Sequence, residues 1–256
     1  MKFFVITKKH LTYATVFVLL LTVALVASVS VFANSDRKLP IYCVETEKKQ
    51  IAISFDAAWG NDDTEQLINI LAEYDVPATF FVVGAWVDKY PESVKQLSDA
   101  GHQIQNHSNT HPHMPNLSTE QMTNELTSCN EKIAAITGVC PTLFRPPYGD
   151  YDNNTVTATE NAQMYCIQWS VDSLDWKDSA TADSIAKRVI NKVEPGSIVL
   201  FHNDAEHTPE ALPTILKTLK EQGYEFVFIS DLIMTENYTI DHSGKQCEIS
   251  RDEVAQ

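Results

Sequence analysis

From Ile51 onward, short apolar runs alternate with segments whose apolar residues recur every three or four positions. The runs IAISFD (51–56), ATFFVV (78–83), HQIQN (102–106), TLFR (142–145), MYCIQW (164–169), SIVLF (197–201) and YEFVFI (224–229) have the length and residue types of strands. Between them, Leu67, Ile70, Leu71 and Tyr74 form one helical stripe, and Met122, Leu126, Cys129, Ile133 and Ile136 another. Ser118 to Gln121 reads as a capping box, and Pro91 suits a first helical turn. Gly101, Gly138 and Gly223 stand where helices should stop. Strands that alternate with helices predict an α/β chain with a parallel sheet. No strand leads into G-x-G-x-x-G, so a barrel is expected rather than a dinucleotide-binding open sheet.

The N-terminus departs from this pattern. Lys2, Lys8 and Lys9 precede 23 uncharged residues, Leu11 to Ala33, long enough to span a bilayer with the basic side in the cytoplasm. Residues 1–34 are therefore expected to be a signal anchor or, with Val31-Phe32-Ala33 as cleavage site, a signal peptide. A linker (35–47), one domain (48–235) and a C-terminal tail (236–256) follow, the two flanks being polar and weakly patterned. The domain would lie outside the cytoplasm, anchored or secreted and facing the cell wall. The formal charge of −15 argues against nucleic acid as a partner. An exported chain permits disulfides, and Cys43 with Cys247 is one pairing. The count of five cysteines leaves at least one thiol free, and Cys129 and Cys166 read as buried thiols.

The polar residues that suggest chemistry fall just after strands: Asp56, His107 with His111, Arg145, Asp175 and His202. In a parallel barrel these positions share one rim, where active sites are built. In NHSNTH (106–111), two imidazoles four apart on a helical turn would suit one divalent ion, while His113 in HPHMP reads as a solvated loop residue. In FRPPYGD, Arg145 offers a charged fork for a carboxylate or a structural ion pair, and the Tyr148-Gly149 turn offers a backbone amide to an oxyanion. In VDSLDWKD, Asp175 could orient an imidazole, and Trp176 presents a flat apolar face to a sugar ring. His202 ends a strongly apolar strand, a setting for a general acid.

The ordered set SFDAAWG, HSNTH, RPPYG, DSLDW and LFH resembles the five motifs of the polysaccharide deacetylases, the NodB-homology or carbohydrate esterase 4 family. FDAAWG is similar to the sporulation-type branch. The resemblance runs from about Lys48 to Leu232 and implies a distorted, incomplete (β/α) barrel of about seven parallel strands. It also implies a metal-dependent hydrolase, expected to act as a monomer, that removes N-acetyl groups from peptidoglycan or chitin-like glycans. Asp56 would be the base and His202 the acid, with Arg145 orienting Asp56 and Asp175 tuning His202. Tyr148, Trp176 and Leu200 would contact the substrate. His107 and His111 would hold the metal, with Zn2+ expected first and Co2+ or Mn2+ as alternatives.

One position breaks the pattern. The family usually carries two consecutive aspartates in its first motif, the second a metal ligand, and here that place is Ala57. Asp63 is the candidate replacement, although Asp62 and Asp63 also read as helix caps. Two further readings stay open: a catalytically silent glycan-binding wall or sporulation protein, and an esterase acting on O-acetyl groups of xylan type.

Overall fold

The structure is a computed structural model that describes residues 37–249. The expected anchor or signal segment lies outside the described residues, and among them no helix is long and apolar enough to cross a membrane. The strands are β1 (Cys43–Val44), β2 (Gln50–Ala57), β3 (Ala78–Val82), β4 (Gln103–Asn106), β5 (Leu143–Phe144), β6 (Tyr165–Cys166), β7 (Val171–Asp172), β8 (Ile198–His202), β9 (Glu225–Phe226), β10 (Tyr238–Ile240) and β11 (Lys245–Glu248).

Pairing is parallel throughout the main sheet, in the order β6-β5-β4-β3-β2-β8-β7, with β9 paired to the start of β2. The stretch Tyr165–Asp172 pairs with β5 at its beginning and with β8 at its end. Both edges of the sheet are thus supplied by one piece of chain, which curls the sheet into an incomplete barrel. Strands β2 and β3 are buried along almost their whole length, as continuous apolar runs in parallel sheets require. Phe55 stacks on Phe80 at 4.8 Å and on Phe201 at 5.5 Å, locking the three central strands together.

The helices cover the sheet with the expected stripes. Leu67 and Leu71 are buried from helix Thr64–Glu73, while Ile70 and Tyr74 pack partly buried beside them. Met122, Leu126, Cys129 and Ile133 are buried from helix Thr119–Thr137. That helix begins with the Ser118–Gln121 capping box and stops at Gly138, whose φ of 73° lies in the left-handed region. Pro91 opens helix Pro91–Asp99.

Four expectations need correction. MYCIQW is not one strand: pairing switches partner between Cys166 and Val171, so β6 and β7 are short. YEFVFI forms strand only at Glu225–Phe226, after which the apolar residues turn into helix Ile229–Leu232 and fill the core beneath β2. The flanks taken as linker and tail contain β1, β10 and β11, which form a separate three-stranded sheet, and Ile41 bridges to Ile167. All five cysteines are free, so the Cys43–Cys247 disulfide is absent; the register sets Cys43 opposite Lys245 and Cys247 opposite Thr239. Burial pushes the Cys129 and Cys166 thiols up to about 12, consistent with inert packing groups.

Candidate active site

Register brings the candidate residues together. Asp56 and His202 are direct partners across the β2–β8 pair, so both project from the same end of the sheet. Asp56, His107, His111, Tyr148, Trp176, Leu200 and His202 line one cavity of about 430 Å3. Arg145 lies behind Asp56, and Asp175 behind His202.

Arg145 is fully buried. Its Nη1 donates to Asp56 Oδ1 at 2.7 Å, and its Nη2 donates to Ser54 Oγ at 2.8 Å and to the Gln168 carbonyl at 3.3 Å. The guanidinium lies over the Phe81 ring at 4.1 Å. Burial works against the Asp56 charge, but Arg145, followed by His107 and His202, holds its carboxyl below the usual carboxylate range. Arg145 also acts through its backbone: its carbonyl accepts from His107 Nδ1 at 2.7 Å, which fixes the tautomer and leaves Nε2 facing Asp56 Oδ2 at 3.5 Å.

His107 and His111 converge, although not on the expected helical turn. The segment is irregular, with Ser108 at φ 69° and His111 at φ 61°, and the His111 amide donates to Ser108 Oγ. The two ring centroids are 5.0 Å apart. Burial lowers both imidazole pKa values, that of His111 to about 4, so both rings are neutral at neutral pH. His113 is exposed, stacks on Tyr148 at 4.2 Å and bonds Asp150.

Asp175 holds His202 at two points: Oδ1 accepts from Nδ1 at 2.8 Å, and Oδ2 accepts from the backbone amide at 2.8 Å. Thr208 Oγ1 adds a third bond, to Oδ2 at 2.7 Å. Burial disfavours the imidazolium, yet the bond and charge of Asp175, with help from Asp56, raise the His202 pKa above its ordinary value. The site therefore pairs an ionised carboxylate with a protonatable imidazole, the division of roles that general base and general acid require.

Asp63 stands apart from this group. Its Oδ2 accepts the Asp204 amide at 2.8 Å, Oδ1 has no partner, and neither atom lines the cavity. It occupies the cap position of helix Thr64–Glu73 without a capping bond. Ala57 is fully buried in the main apolar cluster. The donor set for a metal is therefore two imidazoles, and no group of three or more His, Cys, Asp or Glu side chains poised for a metal occurs among the described residues. That falls short of the three protein ligands typical of catalytic zinc, so the residues present do not fit such a centre.

Sequence reasoning missed several supporting residues: Ser54 and Gln168 on Arg145, Thr208 on Asp175, and Asn203, whose side chain accepts from the Ala58 amide at 3.2 Å and donates to the Gly60 carbonyl. Each acts across a long stretch of sequence, where no local spacing marks it. Trp59 also lines the cavity, and its signal was present within SFDAAWG itself.

Comparison with known proteins agrees with this geometry. The polysaccharide deacetylase family model matches residues 44–167. The peptidoglycan-N-acetylmuramic acid deacetylase PdaA of Bacillus subtilis is 35% identical over 195 residues, covering 75% of this chain and 74% of that one. The chain belongs to the polysaccharide deacetylase family. Within that family it is also 36% identical over 201 residues to the peptidoglycan-N-acetylglucosamine deacetylase PgdA of Listeria monocytogenes, 78% of this chain but 42% of that one. It spans 63% of the length of another relative, the uncharacterised Bacillus subtilis protein YlxY. Among solved structures, a CE4-family pseudoenzyme from Bacillus anthracis superposes with a TM-score of 0.73 at 38% identity, covering 75% of this chain and 68% of that one. A mutant of that pseudoenzyme with restored enzymatic activity aligns with the same TM-score at 39% identity.

Proposed function

We propose that this chain hydrolyses N-acetyl groups on the amino sugars of peptidoglycan or a related glycan, outside the cytoplasm. The observation that carries this reading is the paired arrangement of Asp56 on Arg145 and His202 on Asp175, facing one cavity from adjacent strands. Asp56, kept ionised, takes a proton from the attacking water. The acetyl carbonyl becomes tetrahedral, and the backbone amide of Tyr148 is the proposed donor to its oxyanion. His202, protonated at Nε2 and held by Asp175 at Nδ1, gives that proton to the amine as the carbon–nitrogen bond breaks. Acetate and a free amino sugar result. No step is routed through a metal, because two imidazoles do not complete such a centre; His107 and His111 remain the place where a divalent ion would be sought.

The test is acetate release from N-acetylglucosamine oligomers and peptidoglycan. Asp56→Asn and His202→Ala are each expected to lose at least about 100-fold, the scale of general acid–base catalysis. Equal release by wild type and both variants would contradict the reading. A second reading, a glycan-binding protein without turnover, is favoured by one observation: Ala57 supplies a methyl group where the family usually has a ligand. It predicts glycan binding that survives chelation and no acetate from the wild type. O-acetyl esters on xylan would be recognised by the same two groups, and acetate release from acetylated xylan separates that substrate.

A further inference from the structure

The backbone of Tyr148 stands in a conformation that residues with a side chain adopt only when their surroundings impose it. Its φ is 61° and its ψ 5°, left-handed values inside the short turn Pro147–Gly149. The amides of Gly149 and Asp150 are used within that turn, donating to the Pro146 and Pro147 carbonyls at 3.2 and 3.1 Å. The Tyr148 amide has no partner among the described residues, and both Tyr148 and Gly149 line the active cavity. Whatever holds this residue therefore sets the direction of a free donor.

The Tyr148 ring is 61% exposed, so burial in the core does not hold it. Two imidazoles pack against it instead. His111 meets the ring edge-on at 4.5 Å with the planes 65° apart, and His113 lies face to face with it at 4.2 Å and 17°. His113 is itself anchored, since its Nδ1 bonds Asp150 Oδ2 at 3.0 Å, just beyond Tyr148 in the chain. Just before Tyr148, the Arg145 carbonyl accepts from His107 Nδ1 at 2.7 Å. The loop that follows β4 and the loop that follows β5 are thus joined on both sides of Tyr148, and the stacked ring closes the clamp. His113 does not line the cavity, so it reaches the site only through Tyr148.

We propose that His113, anchored by Asp150, is a positioning residue: its stack on the Tyr148 ring aims the Tyr148 backbone amide at the oxyanion. This inference rests on the deacetylase reading above for the reaction it serves. Aim matters because an oxyanion donor acts only when directed at the place the charged oxygen will occupy.

The test follows acetate release and the NMR resonance of the Tyr148 amide. The probe is glucosamine carrying a methylphosphonyl group in place of acetyl, a tetrahedral analogue of the intermediate. In the wild type the Tyr148 resonance is expected to move when the analogue binds. His113→Ala should lower kcat about tenfold, short of the roughly 100- to 1,000-fold cost of deleting an oxyanion donor. KM should change less than kcat, and the movement of the Tyr148 resonance should shrink. His113→Phe keeps a flat face against Tyr148 and should recover most of the loss, with melting temperatures showing that both variants are folded. Unaltered kcat and an unaltered Tyr148 response in His113→Ala would overturn the proposal. So would a KM that rises as far as kcat falls, which would make the stacked pair a substrate contact, or a folded His113→Phe as slow as His113→Ala. A wild-type resonance that ignores the analogue would also overturn it. If the wild type releases no acetate but its Tyr148 resonance moves and that of His113→Ala does not, the positioning role stands and the turnover reading falls. Acetate release by the wild type with the same Tyr148 response in both proteins has the opposite meaning.

Discussion

Asp56 keeps its charge inside the protein because Arg145 is committed to it, and Arg145 is in turn fixed by Ser54 and Gln168. Arg145→Met would leave the buried carboxylate unpaired and is expected to cost about 3–5 kcal/mol in urea denaturation. Because the Asp56 pKa is lowered on folding, its stabilisation is present above the unfolded value and is lost as pH falls through the folded one. In Arg145→Met the acid limb of the activity profile should move to higher pH. His202 has the opposite sign: with its pKa raised, its stabilisation is full below the unfolded value and disappears as pH rises through the folded one. Asp175→Asn should therefore move the alkaline limb of activity to lower pH, with the imidazole titration by NMR moving alongside. Asp63 differs from Asp56, since burial raises its pKa to about 6. Its folded state favours the proton, so wild-type stability should fall as pH rises from about 4 to about 6. Asp63→Asn is expected to remove that decline, a gain on the order of 1 kcal/mol at pH 7, with zinc uptake equal to that of the wild type. A loss of bound zinc in that variant would return Asp63 to the ligand set.

The strand ends were legible because two signals coincide there: an apolar run that stops, and a polar residue with a chemical use. Asp56, Arg145 and His202 all satisfy both, and the parallel topology places such residues on one rim. Elements defined by distant partners were not legible. Asp63 carries no local sign that it will accept the amide of Asp204, and MYCIQW does not reveal that its two ends pair with different strands. The flanking strands β1, β10 and β11 have two to four residues each, too few for an alternating pattern to show, and they are ordered by pairing with one another and by Val44 and Ile240 packing into a buried apolar cluster. Gly196 shows how closely one flank fits the barrel: its φ is 81°, and a Cβ there would sit 1.8 Å from the Val44 carbonyl oxygen. Its own amide donates to the Gln50 carbonyl while its carbonyl accepts from Val44. Gly196→Ala is expected to lower stability by more than about 2 kcal/mol through the clash and the positive φ, with a fall in melting temperature as the measurement. An unchanged melting temperature would mean that β1 is not held there.

At the scale of the whole molecule, a curled parallel sheet brings groups far apart in sequence to one opening, and the identity to PdaA extends over most of both chains. The fold was the most legible level, because alternating runs and helical stripes specify it redundantly. The metal-ligand set was the least, because it depends on a single position, Ala57, and on what stands near it in space. The similarity to both peptidoglycan deacetylases and a pseudoenzyme leaves the two functional readings distinguished by turnover alone. The most direct measurement is acetate released from peptidoglycan and N-acetylglucosamine oligomers by wild type, Asp56→Asn and His202→Ala under the same conditions. The account predicts release by the wild type and a loss of at least about 100-fold in each variant; no release by the wild type, or equal release by all three, would contradict it.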